Sequence, residues 1–415
     1  MANYINEIGK KAKEASYKLA LYDTVRKNEL LLACAEALLS NSEKIIKIND
    51  EDIKKAKENG MKSSFLDRLK LTDKRIEDMA SGLREVASLP DPIGEIISMN
   101  TLPNGMTVGK KRVPMGVIGI IYEARPNVTS DAFGLCLKAG SAVVLRGGKE
   151  ALATNNAIVE IFKQTLTEQG ALSDIVTLIT DTSHEVAKEM MTLNAYIDLL
   201  IPRGSARLIQ SVIQNSTVPS IQTGVGNCHI YIDKSADLQM AEEIVINAKT
   251  QRPGVCNACE TLLVHEEIKE KFIPQIAKAL RKKDVEIRGD KDFVKLAEAK
   301  PATEEDFATE FEDYIISCGA VSDLDEALNH IKKYSTGHSE AIITENYTNA
   351  QRFLNEVDSA CVYVNASTRF TDGNQFGLGC EIGISTQKLH ARGPMGLKEI
   401  CTYKYIIFGS GQTRK

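Results

Sequence analysis

The chain has 415 residues, 43% of them hydrophobic and 26% charged, with a net charge of −5 at pH 7. That length predicts two or three domains, each with its own core, and the even mixing of acids and bases argues against nucleic acid or a membrane surface as partner. Nine cysteines without regular spacing, an N-terminal MANYINEIGKKAKEAS that lacks a signal-peptide pattern, and no apolar run of bilayer-spanning length point to reduced thiols in a cytoplasmic protein.

Residues 1–90 read as helices. Ile5, Ile8, Ala12, Ala15 and Leu19 lie near helical spacing, and 28–39 is a second such stretch. Asn49-Asp50-Glu51 caps a helix carrying Ile53 and Ala56, residues 64–69 start a short unit, and Thr72-Asp73-Lys74 opens a helix that Leu89-Pro90-Asp91-Pro92 ends. The period then changes: 99–102 and 106–113 flank Pro103-Asn104-Gly105, a hairpin around an Asn-Gly turn. Such an arm serves oligomer contacts or lies as a plain surface hairpin.

A βαβ series follows. Strands are expected at 117–122, 142–145, 175–179 and 195–201, and helices at 131–139, 151–168, 184–191 and 206–214. This is the pattern of an α/β fold with a doubly wound sheet. Two strand-to-helix turns, Arg146-Gly147-Gly148-Lys149 and Pro202-Arg203-Gly204-Ser205, carry glycine beside a basic residue. Turns of this kind let backbone N–H groups and a helix N-terminus approach a phosphate. Neither is a dinucleotide or P-loop fingerprint. Each alone reads as an ordinary turn; two in one sheet raise a nucleotide site. Asn127, beside Pro126, reads from its neighbours as a loop residue.

The stretch QRPGVCNACETLLVH, 251–265, is the chemical centre of the chain. A helix over 242–249 leads into it, Pro253-Gly254 breaks the chain, Cys256 follows, and 261–264 forms a buried strand. Breaker, cysteine, strand places a thiol on a fixed loop, where a thiolate acts as a nucleophile. Three readings stand at this point: a nucleophile, a buried structural cysteine, or a redox or metal pair with Cys259. Beyond it, helices at 266–281, 324–333 and 349–357 alternate with strands at 284–289, 314–318, 341–343 and 360–365. A Gly-rich segment, RFTDGNQFGLGCEIGIST, and a last strand at 402–408 complete the chain.

VSDLDEALNHIKKYSTGHSEAI (321–342), CNACET around Cys256, YEARPNVTSDAF around Asn127 and FGLGCEIGIST near the tail together resemble the glutamate-5-semialdehyde dehydrogenase family of the aldehyde dehydrogenase superfamily, over essentially the whole chain. The resemblance implies a Rossmann-like cofactor domain (1–98 and 114–234), a catalytic domain (235–368), and an oligomerisation arm and tail (99–113 and 369–415). It makes Cys256 the catalytic thiol and Asn127 an oxyanion donor, with the Cys256 amide as the second. Arg146, Gly147, Gly148, Lys149, Gly204, Ser205 and Glu310 fall at cofactor-binding positions. Lys149 replaces the glutamate of many NAD-dependent members; a lysine attracts a 2′-phosphate, so the cofactor implied is NADP(H). Where hydrolytic members carry a water-activating glutamate, this chain has Gln222-Thr223-Gly224-Val225-Gly226. The acyl group is therefore expected to pass to an acceptor other than water.

In the family that acceptor is phosphate, and the expected activity is NADPH-dependent reduction of L-glutamyl 5-phosphate in proline biosynthesis. Arg369, Thr371 and Ser339 are candidates for substrate contacts on chemical grounds. No metal is expected. A homodimer or higher homo-oligomer and association with glutamate 5-kinase are the partners the resemblance raises. A CoA-acylating aldehyde dehydrogenase and a non-catalytic homologue are the rivals.

Overall fold

The computed structural model describes residues 2–61 and 63–414. By internal packing the chain divides into two units: Met1–Thr223, Gly377–Gly383 and Met395–Lys415 form the first, and Gly224–Phe376 with Ile384–Pro394 the second.

The first unit begins with helices α1 (Ala2–Leu19), α2 (Thr24–Ser40), α3 (Ser42–Glu58), α4 (Ser63–Leu69) and α5 (Asp73–Ser88). Capping side chains set two of the starts: Asp23 accepts from the Arg26 amide and Thr72 from the Arg75 amide. Of the apolar positions read from the sequence in α1, Ile5, Ala12, Ala15 and Leu19 are buried and Ile8 is partly so. Then come β1 (Ile96–Thr101), β2 (Thr107–Pro114), β3 (Val117–Tyr122), α6 (Asn127–Lys138), β4 (Ala142–Arg146), α7 (Leu152–Glu168), β5 (Val176–Leu178), α8 (His184–Met191), β6 (Leu199–Arg203) and α9 (Ala206–Asn215).

Strands β3 to β6 form a parallel sheet in the order β5-β4-β3-β6. Every residue of β3 is buried, as a strand covered on both faces requires. The chain steps from β3 through β4 to β5 on one side, then returns to place β6 on the other. The reversal opens a crevice at the carboxyl ends of β3 and β6.

The second unit holds β7 (Cys228–Ile232), α10 (Leu238–Thr250), β8 (Cys259–His265), α11 (Lys269–Arg281), β9 (Glu286–Gly289), α12 (Lys291–Ala297), β10 (Lys300–Pro301), α13 (Glu304–Phe307), β11 (Ile315–Val321), α14 (Leu324–Tyr334), β12 (Ser339–Ile343), α15 (Tyr347–Glu356) and β13 (Cys361–Val364). Its parallel sheet runs β10-β9-β11-β8-β7-β12-β13, with β8 and β7 central. A short antiparallel pair, β14 (Ile384–Ser385) and β15 (Gly393–Pro394), belongs to the same unit. The last strand, β16 (Cys401–Phe408), returns to the first unit and pairs antiparallel with β2, giving a three-stranded sheet β1-β2-β16.

Several expectations change. Helix α3 begins at Ser42 and runs through Asn49-Asp50-Glu51, the stretch expected to cap a helix. The first compact unit's long segment ends at Thr223 rather than 234, because 228–232 is a strand paired with β8 and β12 of the second sheet. The tail is shared between the units instead of forming one arm. The fourth strand of the first sheet starts at Leu199, not 195. Asn127 opens helix α6 rather than lying in a loop.

Candidate active site

Cys256 lies at the second position of a β-turn closed by Ala258 N–H donating to the Val255 carbonyl at 3.0 Å. It is partly exposed. The turn joins the end of α10 to the start of β8, and the stems are tied together. Lys249, in the last turn of α10, meets Glu260 of β8 at 2.6 Å, with both side chains fully buried. Desolvation raises the Glu260 carboxyl to about 8, against the pull of Lys249.

Asn257 anchors the turn from the inside. Its amide donates to the Thr371 carbonyl at 2.8 Å, its backbone carbonyl accepts from Thr368 Oγ1 at 2.7 Å, and Arg369 Nη1 donates to its side-chain oxygen. Arg369 also reaches Gln251 at 3.0 Å. Desolvation and the neighbouring Arg252 lower the Arg369 pKa, while Cys256 pulls it the other way. The guanidinium is thus bonded to the residue that follows Cys256.

Below the turn the backbone is in near contact with Gly226. A Cβ built there would fall 1.4 Å from the Cys256 carbonyl oxygen and 2.6 Å from its Cα. The Gly226 amide donates to Glu310 at 2.9 Å, so Glu310 helps hold this glycine against the turn. Cys228 donates its S–H to the Cys256 carbonyl at 3.2 Å, and burial pushes that thiol far up, keeping it protonated. Cys259 is buried in the core of the second unit with Sγ 3.4 Å from the Thr261 carbonyl, and burial raises its pKa too. Neither Cys256 nor Cys259 is in a disulfide, and Cys259 packs inside the second unit's core.

The turn after α14 supplies the floor. Thr336 Oγ1 accepts from the Asn227 amide at 3.0 Å. His338 Nδ1 lies 2.8 Å from Ser339 Oγ and 3.8 Å from Cys228 Sγ. Ser339 and Thr371 share a hydrogen bond of 2.7 Å, and Thr371 another of 2.6 Å with Tyr363. Ser339 and Thr371, singled out as substrate contacts, are fully buried; their hydroxyls bond one another, His338 and Tyr363, and Thr371 meets the loop through its backbone carbonyl. Arg369 stands beside the cysteine, bound to the loop itself.

In the first unit, Arg146 closes β4 and spends Nη2 on the carbonyls of Thr182 and Ser183 at 2.6 and 3.1 Å, while its Nε is buried with no hydrogen-bond partner. Gly147 passes so close to Asn155 that a Cβ would lie 2.4 Å from its amide nitrogen; at Gly148 the nearest atom would be Glu150 Oε2 at 2.8 Å. Lys149 is exposed. Ser205 caps α9, accepting from Leu208 N–H at 3.4 Å. Asn127 is exposed at the start of α6, with its amide donating to Asp131 at 3.0 Å. Desolvation lifts the Asp131 carboxyl to about 6, against the Asn127 hydrogen bond and Arg203.

The aldehyde dehydrogenase family model matches residues 2–315. The chain belongs to the aldehyde dehydrogenase family. Within that family its relatives are specific. It is 60% identical over 407 residues to the gamma-glutamyl phosphate reductase of Caldanaerobacter subterraneus, and 59% identical to that of Clostridium botulinum, with 98% of each chain covered. The crystal structure of gamma-glutamyl phosphate reductase from Thermotoga maritima superposes with a TM-score of 0.97 at 49% identity, covering 99% of this chain and 100% of that one. An acetylating aldehyde dehydrogenase from Geobacillus thermoglucosidasius, at 16% identity and a TM-score of 0.71, shares the fold.

Sequence reasoning located the cysteine and both basic turns of this aldehyde dehydrogenase. It missed Asn257, Gly226, Cys228, and the Lys249–Glu260 pair. The glycines of TGVGNC and two opposite charges flanking the cysteine loop were the available signals.

Proposed function

We propose that this chain is an NADPH-dependent reductase that converts L-glutamyl 5-phosphate to L-glutamate 5-semialdehyde and phosphate, the second step of proline biosynthesis from glutamate. The observation that carries the reading is Cys256. It is a partly exposed thiol on a turn pinned at its stems, side and floor, in a chain whose relatives are gamma-glutamyl phosphate reductases.

The Cys256 thiolate adds to the γ-acyl carbon, the bond to the phosphate oxygen breaks, and phosphate leaves with that electron pair. The product is a thioester on Cys256. The nicotinamide cofactor, when bound, supplies the hydride that takes this thioester to a thiohemiacetal. The carbon–sulfur bond then breaks, the thiolate is restored and the aldehyde departs. The Cys256 amide donates to the oxyanion of each tetrahedral state, a contribution worth about 3–4 kcal/mol.

Asn257, Gly226 and the Lys249–Glu260 pair hold the sulfur in position. The stretch 222–226 offers no carboxylate to activate water, so the thioester survives until reduction. Arg369, beside the cysteine, is the retained candidate for a substrate carboxylate.

Arg146, Gly147, Gly148 and Lys149 with Gly204 and Ser205 would hold NADP(H). The close-packed glycines, the unpartnered Arg146 Nε and the exposed Lys149 suit a phosphorylated nucleotide. The sheet β1-β2-β16 exposes Ile97, Met99, Tyr405, Ile407 and Phe408, an apolar surface suited to a second copy of the chain. A cytoplasmic homo-oligomer, with glutamate 5-kinase as a further partner, completes the reading. Ile407→Glu is expected to shift sedimentation toward monomer; an unchanged profile would remove the arm from the interface.

The deciding experiment runs the reaction backwards, with glutamate 5-semialdehyde and NADP, following NADPH absorbance with and without phosphate. Turnover that requires phosphate and is lost in Cys256→Ala is expected. Turnover without phosphate would overturn the reading of 222–226, and CoA-dependent turnover would favour the acylating rival.

A further inference from the structure

The topological reversal in the first unit leaves its crevice between the carboxyl ends of β3 and β6, with α9 starting at its rim. The position is filled from within the chain. Glu123 follows directly on β3, and its amide donates to the Arg203 carbonyl at 3.2 Å, which fixes its backbone against the end of β6. Its carboxylate crosses the crevice: Oε2 accepts from the Ser205 amide at 2.9 Å and Oε1 from Ser205 Oγ at 2.7 Å. The crossing depends on Gly204, where a Cβ would sit 2.7 Å from the carboxyl carbon. A bidentate carboxylate on a backbone N–H and a hydroxyl at a helix N-terminus reproduces the hydrogen bonding of a bound phosphate.

We infer that Glu123 is a resident competitor for the cofactor's phosphates, so that exchange between its carboxylate and the nucleotide sets how tightly the cofactor is held and how fast it leaves. The inference rests on the placement of the dinucleotide at these turns proposed above. Two anions cannot share the same two donors. Cofactor entry therefore requires the Glu123 side chain to rotate away, and the measured affinity is the intrinsic one reduced by the fraction of molecules in which it has done so. On product release the carboxylate returns to Ser205 and satisfies the donors that the departing nucleotide exposes. The residue is half-buried at a strand end.

The test is equilibrium titration of NADPH fluorescence, with stopped-flow release of NADP, on the full chain and on Glu123→Gln, Glu123→Ala and Ser205→Asp. Removing the competing charge in Glu123→Gln or Glu123→Ala is expected to tighten NADPH binding by about ten-fold and to slow release by a similar factor. Ser205→Asp keeps a helix cap but fixes a carboxylate at the same place, and is expected to weaken binding by at least about ten-fold. Weakened binding in Ser205→Asp with unchanged or weaker binding in both Glu123 variants would overturn the competitor role and leave the site in place. Unchanged binding in Ser205→Asp would instead remove the nucleotide from α9, and the inference with it.

Discussion

Gly226→Ala is the sharpest probe of how this chain positions Cys256, the proposed nucleophile. The added Cβ would lie 1.4 Å from the Cys256 carbonyl oxygen, 2.3 Å from the carbonyl carbon and 2.6 Å from Cα. Ordinary contact begins at about 3.5 Å, so one of the two backbones must retreat by about 2 Å. Neither moves freely. Gly226 is bonded to Glu310 and precedes central strand β7, and the cysteine turn is held by Asn257, by the Cys228 thiol and by the Lys249–Glu260 pair. A displacement of about 1 Å at a reacting group costs on the order of 100-fold in rate. The expected result is therefore a fall in kcat of at least about 100-fold, with NADPH affinity unchanged. The assay is the phosphate-dependent reverse reaction, alongside the rate of Cys256 alkylation by iodoacetamide to report the thiol's accessibility. A folded Gly226→Ala protein with kcat within about three-fold of the parent would refute the argument that this close approach sets the position of Cys256.

Three further outcomes are expected. Glu260→Ala strands Lys249 in the core and should cost about 3–5 kcal/mol in urea unfolding, whereas Lys249→Met with Glu260→Leu should recover most of it; equal losses in both would show that the pair is not what ties the stems. Burial lowers His338 from 6.5 to about 4, so the unfolded chain takes up its proton near pH 6.5 and the folded chain only near pH 4. Stability from this group is complete above pH 6.5 and falls by roughly 3 kcal/mol as pH drops toward 4; urea midpoints at pH 7 and 5 should differ less in His338→Asn, and an unchanged difference would discount the histidine. Lys149→Glu should reduce the preference for NADPH over NADH by about ten-fold or more; an unchanged ratio of Kd values would place the 2′-phosphate elsewhere.

The parts of this molecule legible in the chain were those that local physics decides. Continuous runs such as Val117–Tyr122 marked buried parallel strands, and Pro253-Gly254 before Cys256 marked a loop with a presented thiol. Asn104-Gly105 marked the hairpin, where Gly105 indeed takes a φ of +83°. Strand β7 escaped because its five residues, CHIYI, mix polar and apolar types. Its place comes from pairing with β8 and β12, which are distant in sequence. Helix α10 began earlier than expected because Asp237 caps it with two hydrogen bonds.

The sequence by itself determined the α/β alternation, the cysteine loop and the two glycine-basic turns, because periodicity and chain breakers act over a few residues. Only the tertiary structure decided what surrounds them. Ser339 and Thr371, candidates for substrate contacts in the sequence, are buried and bonded to each other. Glu123 gains its partner only because Ser205, 82 positions along the chain, comes within 2.7 Å. Lys249, Glu260 and Gly226 took on meaning only as neighbours of Cys256. Such roles depend on contacts between distant segments, and the geometry of those contacts is settled when whole sheets pack, not by the residues on either side.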